Sequence, residues 1–167
     1  TATTNTLTIT GATVGMTTYQ YRCIVSGTCA NDTSAEVTLV VNTPAAVTSQ
    51  AVAQTICAGD NTSFNIVASG TGLTYRWQVN TGSGWSNVSN GGVYSNATTT
   101  TLNITAATAS MNTYQYRCRI SNGCGNLNST PVTLTVNTPP VITTEPVNTT
   151  ICEGSNTSLS VVTTGSA

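Results

Sequence analysis

The string TYQYRC stands at Thr18–Cys23 and again at Thr113–Cys118. Its second occurrence opens an alternating run, residues 113–120, with Tyr114, Tyr116, Cys118 and Ile120 on one side and Gln115, Arg117 and Arg119 on the other. A period of two is the signature of a strand with one buried face. Other segments recur with it: VNTP at Val41–Pro44 and Val136–Pro139, Cys29 with Cys124, and Cys57 with Cys152. Every offset is 95 residues without a gap, and residues 1–72 laid on 96–167 give 38 identities in 72 positions. The chain reads as a tandem array with a 95-residue period.

Other segments alternate in the same way. Residues 62–69 (TSFNIVAS) put Phe64, Ile66 and Ala68 on one face, and 73–79 (LTYRWQV) put Leu73, Tyr75, Trp77 and Val79 opposite Thr74, Arg76 and Gln78. Leu102 and Ile104 point inward from 101–105, as do Val132, Leu134 and Val136 from 131–137. AGDN (58–61), SGTG (69–72), TGSG (81–84), SNGG (89–92) and SNGCGN (121–126) mark turns. No segment carries a helical stripe, and residues 106–112 are expected to form one short turn.

With VNTP as the boundary, residues 1–43 are the C-terminal part of one unit, 44–138 a complete unit, and 139–167 the N-terminal part of the next. Thr1 and Ala167 both fall inside a unit, so the expectation is a segment of a longer covalent array. The alternative is strand donation, in which partial units of neighbouring chains complete each other. It leaves residues 73–95 unreplaced, with Tyr75, Trp77, Trp85 and Tyr94.

Some seven short strands in 95 residues, each with one wet face, define an all-β fold, an antiparallel β-sandwich. Three details narrow it to immunoglobulin-like. Trp77 follows the second strand, which contains Ile66; Tyr116 precedes Cys118 by two residues, where a tyrosine corner is expected; and Ala107–Asn112, with Met111, suits the corner leading into that strand. The stretch CAGDNTSFNIVASGTGLTYRWQVNTGSGWSNVSNGGVYSNATTTTLNITAATASMNTYQYRC, residues 57–118, is similar to the tandem Ig-like repeats of very large secreted or cell-surface proteins of Bacteroidetes. The resemblance covers the whole chain and implies secreted, extracellular or cell-surface stalks, adhesins or filaments in place of enzymes.

Composition excludes several classes. The 167 residues include four arginines, five carboxylates, no lysine and no histidine, so only 5% are charged, against about 25% in ordinary domains. Threonine (37), serine (16) and asparagine (17) make up about 42% of the chain. A net charge of −1 without a basic cluster excludes nucleic acid as a partner. No apolar run approaches the roughly 18 residues of a spanning helix, so no membrane insertion is expected of this segment. Asp60 is the only carboxylate of 44–138, so carboxylate pairs, Ser or Cys triads and lysine nucleophiles each lack a member. No enzyme activity, cofactor or metal is expected; Asp60 reads as a turn residue, since calcium takes several carboxylates and the thiols are scattered.

Six cysteines without a CxxC pair suit an oxidising compartment, and Cys23, Cys29, Cys57, Cys118, Cys124 and Cys152 are all disulfide candidates. Ile66 occupies the strand position where an antibody domain carries its cysteine. Cys57 lies nine residues earlier, up to about 30 Å away in extended chain, whereas a bridge needs Cα atoms within about 7 Å. Two schemes remain open. Cys118 and Cys124 pair across a hairpin with its loop centred on Ser121, leaving Cys57 alone. Otherwise Cys57 bonds the downstream unit's counterpart of Cys124, leaving Cys118 as a buried thiol.

Binding candidates are few. Trp85 and Tyr94, in a glycine-rich region, could stack on sugars or merely cover the sheet edge. Arg76, Arg117 and Arg119 face outward on adjacent strands. Eight N-x-S/T sequons, at Asn31, Asn61, Asn87, Asn96, Asn103, Asn128, Asn148 and Asn156, are possible glycosylation sites. The reading is a non-catalytic structural repeat of an extracellular fibre or adhesin stalk, partnered by copies of itself or by neighbouring repeats. Its rival is a carbohydrate- or surface-binding adhesion module using Trp85 and Tyr94. An ice- or mineral-binding role would need regular threonine ladders, which the strands do not clearly show.

Overall fold

The structure, a computed structural model, describes residues 3–166. Residues 3–43 hold four short strands: β1 (Gln20–Tyr21), β2 (Ile24–Ser26), β3 (Asn31–Thr33) and β4 (Val37–Thr38). The complete unit holds β5 (Ala46–Ser49), β6 (Gln54–Cys57), β7 (Thr62–Asn65), β8 (Val67–Ser69), β9 (Thr74–Asn80), β10 (Trp85–Asn87), β11 (Tyr94–Ser95), β12 (Thr101–Ile104), β13 (Gln115–Asn122), β14 (Gly125–Asn128) and β15 (Val132–Asn137). Strands β16 (Val141–Thr144) and β17 (Val162–Thr164) follow, and single-turn 3-10 segments lie at Val14–Met16 and Ala109–Met111.

The fold is the expected all-β, immunoglobulin-like sandwich. One sheet of the complete unit runs β10–β9–β13–β15–β6, with β14 also on β13; the other is β11–β12–β7, and β5 pairs β8 beside it. Each inward set read from the alternation reaches the core: Phe64, Ile66, Trp77, Leu102, Ile104, Tyr116, Cys118, Ile120, Leu134 and Val136 are all buried. Trp77 anchors the centre, its ring 6.3 Å from that of Phe64, while Phe64 stacks on Tyr116 at 4.9 Å. The indole Nε1 donates to the Thr99 carbonyl at 3.0 Å, so its polar edge is satisfied in the apolar interior.

Strands β14 and β15 share one edge of β13 and are separated at Ser129, which is buried. Cys118 N–H donates to Ser129 Oγ at 2.8 Å and Ser129 N–H donates to the Cys118 carbonyl at 2.8 Å, so the break leaves no backbone group unpaired there. Ser34 does the same for Cys23, with both bonds at 2.9 Å.

The 95-residue period is thus structural as well as sequential. Gln20↔Thr38 and Tyr21↔Val37 repeat as Gln115↔Thr133 and Tyr116↔Val132. The β2–β3 register repeats as β13–β14, and the bulged β5–β8 pairing repeats as β16–β17. At one left-handed position glycine in one unit is replaced by a residue with a side chain in the other: Gly11 has φ +65°, and its counterpart Ala106 has φ +50°. A side chain in that left-handed region costs about 1–2 kcal/mol, partly offset by the greater freedom of glycine when unfolded. Ala106→Gly is expected to stabilise by about 0.5–1 kcal/mol, raising the thermal midpoint by a few degrees in a calorimetric scan.

Outside residues 44–138, counterparts of core residues are exposed. Leu7 is 54% exposed where Leu102 is 0%, and Leu159 is 65% exposed where Phe64 is 1%. An open groove of about 650 Å³ runs beside Leu7, Tyr21, Cys23 and Val37. Its wall includes Thr4 and Cys23, the counterparts of Thr99 and Cys118, which in the complete unit hold Trp77. The groove thus lies where the equivalent residues of 44–138 enclose Trp77.

Candidate functional site

The densest polar network of long sequence range lies where one unit hands over to the next. The Asn42–Pro44 segment runs between the turn after β13 and the loop after β8. Thr43 N–H donates to Thr71 Oγ1 at 2.8 Å, and Thr71 N–H donates to the Thr43 carbonyl at 3.4 Å. The Asn122 amide bridges both, donating to Thr43 O at 2.7 Å and to Thr71 O at 3.0 Å. Thr71 Oγ1 in turn donates to Asn42 Oδ1 at 3.1 Å, and the Cys124 thiol donates to Asn42 O at 3.4 Å.

Ninety-five residues later the same pair of bonds recurs: Thr138 N–H to Ser166 Oγ at 2.7 Å, and Ser166 N–H to Thr138 O at 3.2 Å. Gly70 and Gly165 make this close approach possible. A Cβ on Gly70 would lie 3.0 Å from Pro44 O, and one on Gly165 would lie 2.9 Å from Pro139 O. Sequence reasoning took Thr71 and Asn122 for turn residues. The signal that could have singled out Thr71 is the hydroxyl retained at Thr71 and Ser166 beside the invariant spacing of Thr43 and Thr138.

All six candidate cysteines are free thiols here. The hairpin scheme is corrected by register. Ser121 pairs with Asn126 and Asn122 with Gly125 inside the ladder, so the turn is at Gly123–Cys124 and not at Ser121. Cys118 lies four residues back along β13 from Asn122, roughly 13 Å in extended chain, and faces the core, so it cannot reach Cys124. Burial pushes the Cys118 thiol up to about 11, as expected of an inert core residue. Cys23, Cys29, Cys57, Cys124 and Cys152 are exposed.

Trp85 and Tyr94 do not share a platform. Trp85 is on edge strand β10 of the five-membered path, whereas Tyr94 is on β11 of the opposite sheet, because the turn through Asn90–Gly92 carries the chain across. One face of Trp85 is taken by the Arg117 guanidinium, 4.2 Å from the ring centroid, and Arg117 Nε also donates to Gln78 Oε1 at 2.9 Å. The Tyr94 and Tyr116 hydroxyls bond each other at 2.9 Å. This corrects the tyrosine-corner expectation, since Tyr116 finds a side-chain hydroxyl in place of an upstream backbone group. Arg76 and Arg119 stand directly opposite each other, an unfavourable like-charge pair on a wet face.

Seven of the eight sequon asparagines are exposed; Asn103, on β12, is half-buried. Among the described residues no cluster of His, Cys, Asp and Glu converges as a metal site, and no helix is long and apolar enough to cross a membrane.

Paired sheets, the repeated register and the bonded joint define a tandem array of immunoglobulin-like domains. Comparison with solved structures agrees. A three-Ig fragment of titin, an E-to-A mutated variant, superposes with a TM-score of 0.70 at 18% identity over 93% of this chain and 54% of that one. An I-band fragment of titin gives 0.60 at 18% identity over 81% and 47%. The chain belongs to the family described as a domain of unknown function (DUF8696), which it matches over residues 46–138. It is also 38% identical over 110 residues to endoglucanase C of Cellulomonas fimi, a match covering 65% of this chain and 9% of that enzyme. The chain thus spans about a tenth of that enzyme's length, a share that does not show catalysis.

Proposed function

We propose that this chain is a load-bearing, non-catalytic segment of an extracellular fibre or adhesin stalk, built from units divided at 43/44 and 138/139 and continuing into neighbouring repeats. Secretion or cell-surface display follows the Bacteroidetes repeats it resembles, and copies of itself or adjoining repeats are its partners. The observation that carries the reading is the joint, whose Thr43–Thr71 pair of bonds recurs as Thr138–Ser166. A hydrogen-bonded linker restrains the angle between units, which a flexible tether would not.

The core wiring supports the same reading. Strands β6 and β15 form the one parallel pairing among the described residues, Leu134↔Gln54 through Asn137↔Cys57. This pairing ties the entry of the unit to its exit. Tension between residues 44 and 138 therefore loads these bonds together, in shear. Stretching a tandem array of the unit tests the proposal: load-bearing units unfold one at a time, each above a distinct force.

A second reading, a carbohydrate-binding adhesion module, draws on the likeness to a segment of an endoglucanase and on Trp85 at a sheet edge. Retention on a glucan matrix that Trp85→Ala abolishes would favour it over the first. Sequon glycans, where attached, would solubilise a surface so poor in charge.

A further inference from the structure

Two exposed cysteines of each unit sit at its opposite ends, and the 95-residue period shows what each one faces. At the upstream joint the Cys124 thiol lies 3.4 Å from the carbonyl of Asn42, four residues beyond the end of β4. The counterpart of Asn42 in the complete unit is Asn137, the last residue of β15. Cys57 is the register partner of Asn137, and the next N–H along the chain, that of Ala58, donates to Asn137 O at 2.8 Å. The carbonyl that receives the Ala58 N–H within a unit is thus the carbonyl that receives the following unit's turn thiol at the joint.

The geometry points to a disulfide across each joint, between Cys57 of one unit and the cysteine equivalent to Cys124 in the unit that follows. This rests on the head-to-tail reading proposed above. Both thiols are exposed and lie in or beside turns with left-handed glycines, Gly59 at φ +95° and Gly125 at φ +135°, which let each side chain be presented at the unit's end. The turn also comes close to the preceding strand: a Cβ on Gly123 would meet Asn42 Nδ2 at 2.9 Å. Cys118 takes no part, being sealed in the core. Cys152 repeats the setting of Cys57, with the same backbone turn bond, Ser155 N–H to Cys152 O at 3.1 Å beside Asp60 N–H to Cys57 O at 3.1 Å.

The oxidant is a small-molecule or enzyme disulfide. One thiol loses its proton and attacks a sulfur of that disulfide, expelling one thiolate. The partner thiolate then attacks the mixed disulfide and expels the second. Two protein thiols give up two protons and two electrons, and the oxidant is reduced to two thiols. The product staples unit to unit and closes no loop within a unit.

The test uses the full chain with residues 44–138 duplicated in tandem, oxidised with glutathione disulfide and mapped as peptides without reduction. The expected result is one cross-link, from Cys57 of the first copy to Cys124 of the second, with both Cys118 residues recovered as thiols. Cys124→Ser in the second copy, an exposed change, should free Cys57. Recovery of Cys57 and Cys124 as thiols, or any bridge to Cys118, overturns the proposal. Amide exchange at Thr43 and Thr71 separates the two claims: a protected joint with free thiols removes the bridge alone, while an unprotected joint removes the stacked array.

Discussion

Trp77→Ala is expected to remove about 3–5 kcal/mol from the stability of the complete unit, which for a domain of this kind totals only about 5–15 kcal/mol. The side chain is wholly buried on central strand β9, opposite Cys118 on β13, and its ring meets Phe64 from the facing sheet. Truncation leaves a cavity between the sheets and leaves Thr99 O without its 3.0 Å donor. Chemical denaturation followed by circular dichroism should show the midpoint falling sharply or the transition vanishing. Trp77→Phe should fall between, since it refills most of the cavity but supplies no N–H. Trp85, held under Arg117 at the sheet edge, remains as a fluorescent reporter in both variants.

Raising the pH above about 10 should melt the unit while mildly acidic solution leaves it folded. Three buried or half-buried acids drive this. Desolvation raises Tyr116 above its usual value of 10.0, with its hydrogen bond to Tyr94 adding to the rise, and desolvation also raises Tyr94. The Cys118 thiol is raised from 9.0 to about 11. In each case the folded state keeps a proton that the unfolded chain gives up. Stability is therefore full below the unfolded values and is lost as pH climbs from those toward the folded ones.

The buried Cys118 and Tyr116 each cost about 1.4 kcal/mol per pH unit across their own intervals, and the half-buried Tyr94 costs less because solvent screens it. The losses begin near pH 9 with Cys118 and steepen above pH 10 as the tyrosines join. The tyrosinate absorbance contributed by Tyr94 and Tyr116 should appear together with the loss of circular dichroism. Cys118→Ala should delay the onset of the loss, and ionisation of those two tyrosines in the folded unit would contradict this picture.

The strand faces and the period were legible in the chain, because one buried face forces alternation and a duplicated unit preserves its register. The cysteine pairing was not. Everything turned on whether Ser121 was loop or strand, and its pairing with Asn126, with a side-chain bond at 2.6 Å, extends the ladder by two residues. The separation of Trp85 and Tyr94 was hidden because a glycine-rich turn can either continue a sheet or cross to the other one. Ser129 was missed because a ladder break satisfied by a hydroxyl looks like any surface serine. The joint escaped notice for a related reason. Its donors and acceptors are threonines, a serine and asparagines, in a chain where those residue types make up about 42% of positions.

A surface with so few charges offers few ion pairs to its neighbours, and the groups found at the 43/44 boundary are neutral hydrogen-bonding side chains and one thiol. The most direct test of a load-bearing array is single-molecule stretching of several copies of residues 44–138 in tandem. The account predicts a sawtooth of separate unfolding events, each releasing up to about 340 Å of chain from one 95-residue unit. Smooth extension without force peaks, or steps unrelated to that length, would contradict it.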